Sequence, residues 1–330
     1  MNDKTGYDGM ELSTQLIIAE AERRAINVEI LDRSDNFIRI NKGKKTEYLK
    51  QATRTAADTY IAPLIMENKL VTKKVLAENG IPTPAGEQYF DIASAIREHD
   101  RYTNREIVVK PNSTNFGKGI TILKIPRSIT GYHDAVQKAF DYDESILVEE
   151  FIEGKEYRFL VVGDKPIAVL HRVPANVVGD GIHSIEELVH IKNKDPLRGR
   201  GYKTPLEKLA LGEDERSYLG FQGRRIEDIP IKDERVFLRK NSNISTGGDS
   251  IDYTDQVLDE YKSIAVKASK AVGASICGAD VIIRDIRAVP DETNYSIIEL
   301  NFNPALHIHS FPFRGKNRHP EQAVLNLLGF

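Results

Sequence analysis

Residues able to do chemistry gather first near the C-terminus. The run Ile297-Ile298-Glu299-Leu300-Asn301-Phe302 reads as a buried strand, and its period of two puts Glu299 and Asn301 on one face while Leu300 and Phe302 take the other. A carboxylate and an amide oxygen then point together. Asp280, at the start of the apolar run Val281-Ile282-Ile283, can add a third oxygen from a neighbouring strand. Hard oxygen donors left partly open to water and phosphate suit Mg2+. Taken alone, the same run also reads as a polar sheet edge.

Charge recurs in three other blocks. A helix is predicted over about Glu67 to Glu78, ended by Asn79-Gly80 and two prolines. Lys69 and Lys73 lie four apart on one of its faces, aimed into a cleft or simply solvated, as most helix lysines are. Arg105 to Pro111 is a strand ending in Lys110, followed by the polar loop Asn112 to Gly119 and a second strand. Gly117 and Gly119 permit close backbone approach, and Ser113, Thr114, Lys110 and Lys118 suit phosphate oxygens. The nucleotidase P-loop spacing is absent. Ser145 to Val173 gives three apolar strands with turns at Glu153-Gly154 and Gly163-Asp164. Glu149, Glu150 and Glu156 sit there although strand interiors disfavour glutamate, a conflict expected at a functional site. Such an extended segment offers backbone groups to an adenine and a carboxylate to a ribose.

Arg172 and Arg239 are planar, permanently charged binders of carboxylates, and Asn243, Ser245, Thr246, Gly247 and Gly248 form a polar glycine turn able to offer amides to an anion. Either arginine also reads as a surface ion pair. His307 and His309 alternate in a strand-like segment and read as substrate-side or core residues, not zinc ligands. Gly179 to Phe237 reads as a charged, solvated surface or a helical insertion beside the substrate mouth.

The elements that must position these groups follow from the pattern of the whole chain. Its 330 residues allow two or more domains, and 40% hydrophobic with 29% charged residues is ordinary for a globular protein. A net charge of -3 gives no footprint for nucleic acid. A single cysteine, Cys277, forbids an internal disulfide and a thiolate metal cage, and points to a reducing cytoplasm. No signal peptide or membrane span is visible. A helix is predicted over Glu11 to Ala25, a strand over Val28 to Leu31, and a hairpin over Phe37 to Ile40 and Glu47 to Leu49. This opening, residues 1–65, reads as a small α/β piece that packs on a neighbour.

The ordered set NKLVTKKVLAENGIPTP, IVVKP with its glycine loop, LVEEFIEGKEYRF, GADVII and IIELNFNP resembles the ATP-grasp superfamily of carboxylate-amine ligases over Glu67 to the C-terminus. The resemblance implies an α+β fold in which ATP lies between a lid subdomain of about 86–150 and a C-terminal subdomain of about 151–330. It implies phosphate contacts from Lys69, Lys110 and the loop Ser113 to Gly119, and an adenine hinge at Glu149, Glu150, Phe151 and Ile152. Glu156 is implied as the ribose acceptor, and Asp280, Glu299 and Asn301 as ligands of two Mg2+ or Mn2+ ions.

HRVPANVVGDGIHSIEELV and LRKNSNISTGGDSIDYTD are similar to parts of cyanophycin synthetases and of the glutathione synthetase half of bifunctional glutamate-cysteine ligase/glutathione synthetases. NPALHIHSFPFRGKNR, ELSTQLIIAEA and EYLKQATRT look closer to the second. That likeness implies γ-glutamylcysteine and glycine as substrates, a homo-oligomer, and a chain corresponding to the synthetase half, its ligase module elsewhere. D-alanine ligases carry an arginine two places before the magnesium aspartate, where Gly278 stands here. Stabilisation of a tetrahedral intermediate then falls to Arg172 or Arg239.

Overall fold

The computed structural model describes residues 7, 9–114, 119–125, 128–201 and 203–330. Its central sheet has five antiparallel strands in the order Asp249–Asp252, Lys165–Val173, Lys155–Val162, Ile276–Ile283 and Tyr295–Asn301. Alternation gives the two faces different work. Tyr157, Phe159 and Val161, with Cys277, Ala279, Val281 and Ile283, bury one face against Tyr261, Ala265 and Ala268 of the helix Asp259–Ala271 and against Ala62, Met66 and Leu76.

The opposite face is split. Leu160, Val162, Ala168 and Ile276 form its apolar half, which packs on Ile17, Ile18, Ala21, Ile38, Ile40 and Leu49 of the N-terminal piece and on Val324 and Leu325. The polar half begins where Arg158 pairs with Asp280, Asp280 with Glu299, and Gly278 with Asn301. Cross-strand partners share a face, so these side chains converge beside the N-terminal piece. That piece is a helix, Leu12–Arg23, and a three-stranded antiparallel sheet, Asn27–Asp32, Phe37–Lys42 and Lys45–Lys50.

A second antiparallel sheet runs in the order Gly86–Tyr89, Ile146–Glu150, Ile107–Pro111 and Thr121–Leu123. Ile107, Val109, Ile146 and Val148 pack under Tyr132, Val136 and Ala139 of the helix Ile129–Phe140. Lys110 and Glu149, at alternate positions, are left for the other face.

Three local expectations are corrected. The basic helix is Lys69–Glu78, and a separate helix, Ile61–Glu67, precedes it. Asn68 separates them: its backbone is extended and its side chain accepts the Val71 N–H at 3.1 Å, a cap that starts the second helix. His307 and His309 lie in a short helix, His307–Ser310. Ser13 Oγ accepts the N–H groups of Leu306 and His307 at 3.0 and 3.4 Å, and so satisfies the turn's first donors. The charged segment 179–237 is more than a solvated surface. Ile185, Leu188, Val189, Leu219, Ile226 and Val236, spaced among the charges, close a small core with Ala175, Val177 and Leu238.

Candidate functional site

Two lysine–carboxylate sets join the sheets. Glu149, almost fully buried, accepts from Lys73 at 2.6 Å and from Lys110 at 2.7 Å. Burial pushes its carboxyl up, and the Lys110 and Lys73 charges overcome this and hold it below the ordinary carboxylate range. Lys73, expected to be solvated if it stood alone, is drawn in because the lid presents a carboxylate to its helix. Lys69 donates to Thr114 O at 2.7 Å and Asn112 O at 3.3 Å, with Glu299 Oε1 at 3.5 Å. Burial lowers the pKa of Lys69 and of Lys73, and the nearby Lys110 charge adds to this.

Asp280, 1% exposed, sits at the centre of the polar face. Arg158 grips both its oxygens, Arg172 Nη2 lies 3.1 Å from Oδ2, and Asn301 Nδ2 donates to Oδ2 at 3.3 Å. Burial acts to raise its pKa; the two guanidiniums prevail and lower it. Glu156 is held by Arg172 on one oxygen and by the Ser242 hydroxyl on the other. Arg158 was not singled out from the sequence. The signal available was an arginine inside the apolar strand KEYRFLVV, a position that demands a buried partner.

Elsewhere the predicted residues are less open. Arg239 is bound to Glu215 and, at 3.1 Å, to Asp214 of the helix Glu213–Phe221. The N–H groups of Thr246, Gly247 and Gly248 are used within their own turn, on Asn243 O, Ile244 O and Asn243 O. That turn therefore withholds those three amides; the side chains of Asn243 and Ser245 stay half-buried beside it. At the hinge, the Glu150 N–H goes to Ala85 O at 2.8 Å and the Phe151 N–H to Glu106 O at 2.9 Å. The Ile152 N–H has no protein acceptor among the described residues. The Ser113 N–H donates to Asp143 Oδ2 at 2.6 Å. Gly119 has φ +73°, and a Cβ there would fall 2.6 Å from Pro111 Cγ, so the loop returns to the sheet only through glycine. Gly117 and Lys118 lie outside the described residues.

Together these walls hold five cations, Lys69, Lys73, Lys110, Arg158 and Arg172, against four carboxylates, Glu149, Glu156, Asp280 and Glu299. The surplus is positive and mostly desolvated, which favours a polyanion between the sheets.

Comparisons with known proteins agree. Residues 8–61 match the family described as ATP-grasp-like domain, and residues 67–173 the phosphoribosylglycinamide synthetase ATP-grasp (A) domain. A bifunctional glutathione synthetase from Pasteurella multocida matches 98% of this chain with 45% of its own, at 47% identity and a TM-score of 0.76. The chain belongs to the ATP-grasp superfamily. It is 54% identical over 323 residues to the glutathione biosynthesis bifunctional protein of Clostridium perfringens, and 50% over 325 residues to that of Desulfotalea psychrophila. Each match takes in 98% of this chain, which spans 42% of the length of those relatives. A D-alanine–D-alanine ligase from Bacillus anthracis, at 12% identity and a TM-score of 0.50 over 82% of this chain and 70% of its own, shares the fold alone.

An ATP-grasp site implies a divalent cation, and the donor set can be tested for it. Glu299 is 28% exposed, with one oxygen near Lys69 and the other without a protein donor among the described residues. Asn301 spends its Nδ2 on Asp280 Oδ2 and, at 3.4 Å, on Gly278 O, leaving Oδ1 as an open acceptor. Asp280 brings a carboxylate shared with two guanidiniums. Hard oxygens, partly open, fit Mg2+. No group of three His, Cys, Asp or Glu side chains among the described residues forms a cage by itself, so water and phosphate oxygens must complete the shell. No helix among them is long and apolar enough to cross a membrane.

Proposed function

We propose that this chain is an ATP-dependent carboxylate-amine ligase joining γ-glutamylcysteine to glycine, with release of ADP and phosphate. The observation that carries the reading is the cluster of five buried or half-buried cations, one more than the carboxylates paired with them, beside an open pair of oxygen donors, on a chain with half-identical relatives named for glutathione biosynthesis.

In this reading Lys69, Lys73 and Lys110 bind the phosphates and hold the transferring phosphoryl group, displacing their present carboxylate contacts in part. The acceptor carboxylate attacks the γ-phosphorus, ADP leaves, and an acyl phosphate results. The amine then attacks the acyl carbon to form a tetrahedral centre, its nitrogen gives up a proton to solvent, and the C–O bond breaks with its electron pair leaving on phosphate. Arg172, and Arg158 beside it, are the guanidiniums next to that oxyanion. Arg239, drawn off by Glu215 and Asp214, acts through the segment that carries it. Asp280, Glu299 and Asn301 would hold Mg2+, or Mn2+, as two ions that neutralise charge on the phosphates when bound. Among the described residues no side chain is arranged as a covalent nucleophile: Cys277 is fully buried and its thiol is pushed up to about 12 by that burial.

Relatives more than twice as long support a glutamate-cysteine ligase module as the source of the acceptor. A homo-oligomer in the cytoplasm completes the proposal. The test is phosphate release from ATP and Mg2+ by the purified chain. Release that requires both γ-glutamylcysteine and glycine, with glutathione identified by mass spectrometry, is the expected outcome; release with another acceptor and amine pair would replace this reading.

A further inference from the structure

Glu156 is held from two sides, and one of its holders has no part in the reading above. The carboxylate lies on the polar face of the strand Lys155–Val162, two residues before Arg158, and is 17% exposed. Arg172 Nη2 donates to its Oε1 and the Ser242 hydroxyl to its Oε2. The same Arg172 nitrogen lies 3.1 Å from Asp280 Oδ2. Ser242 is 5% exposed and comes from another part of the chain, the turn that leads into the outer strand Asp249–Asp252.

That turn is a rigid mount. The N–H groups of Thr246 and Gly248 both go to Asn243 O, each at 3.1 Å, and Arg198 Nη1 donates to Gly247 O at 3.1 Å. Gly247 has φ +92°, and a Cβ there would stand 2.9 Å from Leu209 Cα. A Cβ at Gly248 would stand 3.0 Å from Val173 O. The turn is thus pressed between the segment 179–237 and the central sheet, and it carries Ser242 to a fixed place beside Glu156.

A carboxylate held by a single donor turns easily about its last torsion, whose wells are broad. Two donors arriving on different oxygens fix its plane. An ionised carboxylate has about four acceptor sites, so with one site on each oxygen taken, each oxygen keeps another. A ribose offers the matching pair of donors, its neighbouring 2′ and 3′ hydroxyls. Without Ser242 the released oxygen is drawn to the Arg172 fork, which takes carboxylates two-pronged, and the pair of open sites turns away from the nucleotide. We infer that Ser242 is a positioning residue that holds Glu156 edge-on to the ribose hydroxyls, and so sets a preference for a ribonucleotide. This rests on the ATP-dependent reading and deepens it, since it gives a residue of the polar glycine turn a part in recognising the sugar.

The experiment is calorimetric binding of ADP with Mg2+, and of its 2′,3′-dideoxy form, with no acceptor present. The wild type should bind ADP about 10- to 100-fold more tightly than the dideoxy form. Ser242→Ala should weaken ADP about 10-fold and leave the dideoxy form within about twofold of wild type, a selectivity that a general structural defect would not produce. Glu156→Gln should remove the preference for the ribose by itself, and adding Ser242→Ala to it should change ADP binding no further. Equal weakening of the two ligands in Ser242→Ala, or no weakening of either, overturns the inference, as does a wild type that binds both alike. A wild type that binds neither overturns the nucleotide reading along with it. A wild type that binds ADP but does not join γ-glutamylcysteine to glycine loses those substrates alone, and the Ser242 comparison decides the inference as before.

Discussion

Arg158 and Gly278 share one space on neighbouring strands. A Cβ at Gly278 would stand 3.2 Å from both Cδ and Nη1 of Arg158 and 3.1 Å from Pro304 Cβ, because the arginine crosses the glycine on its way to Asp280. The glycine thus leaves room for the guanidinium that reaches Asp280 from the strand beside it. Arg158→Met leaves Asp280 buried with Arg172 and Asn301 alone, and should cost about 3–5 kcal/mol of stability in urea unfolding. Gly278→Ala forces only a shift of a few tenths of an ångström and should cost about 1–3 kcal/mol. An Arg158→Met protein as stable as wild type would show that Asp280 does not need its guanidinium.

Glu299 separates fold from chemistry. It is part-exposed, and Lys69 keeps its bonds to Thr114 O and Asn112 O without it. Glu299→Ala should therefore change stability by about 1 kcal/mol or less while lowering turnover by at least about 100-fold through loss of a cation ligand. The added Mg2+ needed to raise the melting temperature in the presence of ATP should increase in parallel. Near-normal turnover would remove Glu299 from the ligand set.

The clearest part of this site in the sequence was whatever depends on local alternation. A period of two sets Glu299 and Asn301 on one face, and the strand order then brings Asp280 opposite Glu299. What stayed hidden depends on which distant segments meet. Arg158 is meaningful only because its strand lies beside that of Asp280, 122 residues away in sequence. Lys73 becomes a site residue only because the lid sheet turns Glu149 toward it. Arg239 was read as a substrate binder or an ion pair, and its partners Asp214 and Glu215 became visible only through tertiary docking. His307 and His309 alternate as a strand would, and Ser13, near the other end of the chain, makes them a helical turn.

The N-terminal piece reaches the same motif, which its sequence gave no reason to expect. The Thr53 hydroxyl donates to Asn303 Oδ1 at 2.6 Å, and Asn303 Nδ2 donates to Gln51 Oε1 at 3.2 Å, two residues beyond Asn301. Gln51 and Ala52 hold φ of +51° and +68° to make this reach, and Lys50 and Arg54 close the loop with reciprocal backbone bonds. Left-handed backbone at two successive non-glycine residues is costly and persists only where its surroundings enforce it. Thr53→Val should lose about 1–2 kcal/mol and raise the Mg2+ concentration for half-maximal turnover, and Thr53→Ser should restore both. If Val and Ser variants behave alike, the hydroxyl is not what positions Asn303.

Buried histidines give the protein a pH signature. Burial holds His307 and His171 down at about 4, and burial followed by the Arg158 and His307 fields holds His309 at about 3. Both ring nitrogens of His309 lack a protein partner among the described residues. An unfolded histidine titrates near 6.5, so between that pH and the folded values the unfolded chain binds more protons. The stabilisation is complete above the unfolded pKa and is lost as pH falls, by about 1.4 kcal/mol per histidine for each pH unit once the unfolded ring is charged. Glu149 and Asp280, held below the carboxylate range, withdraw their own contributions only at still lower pH. Half-buried His183, raised by its bond to Asp180, runs the other way. Unfolding free energies measured in urea from pH 7 to pH 5 should therefore fall steeply, and His309→Leu should flatten that slope whatever it does to stability at pH 7. An unchanged slope in His309→Leu would mean that its ring already finds a proton in the folded protein.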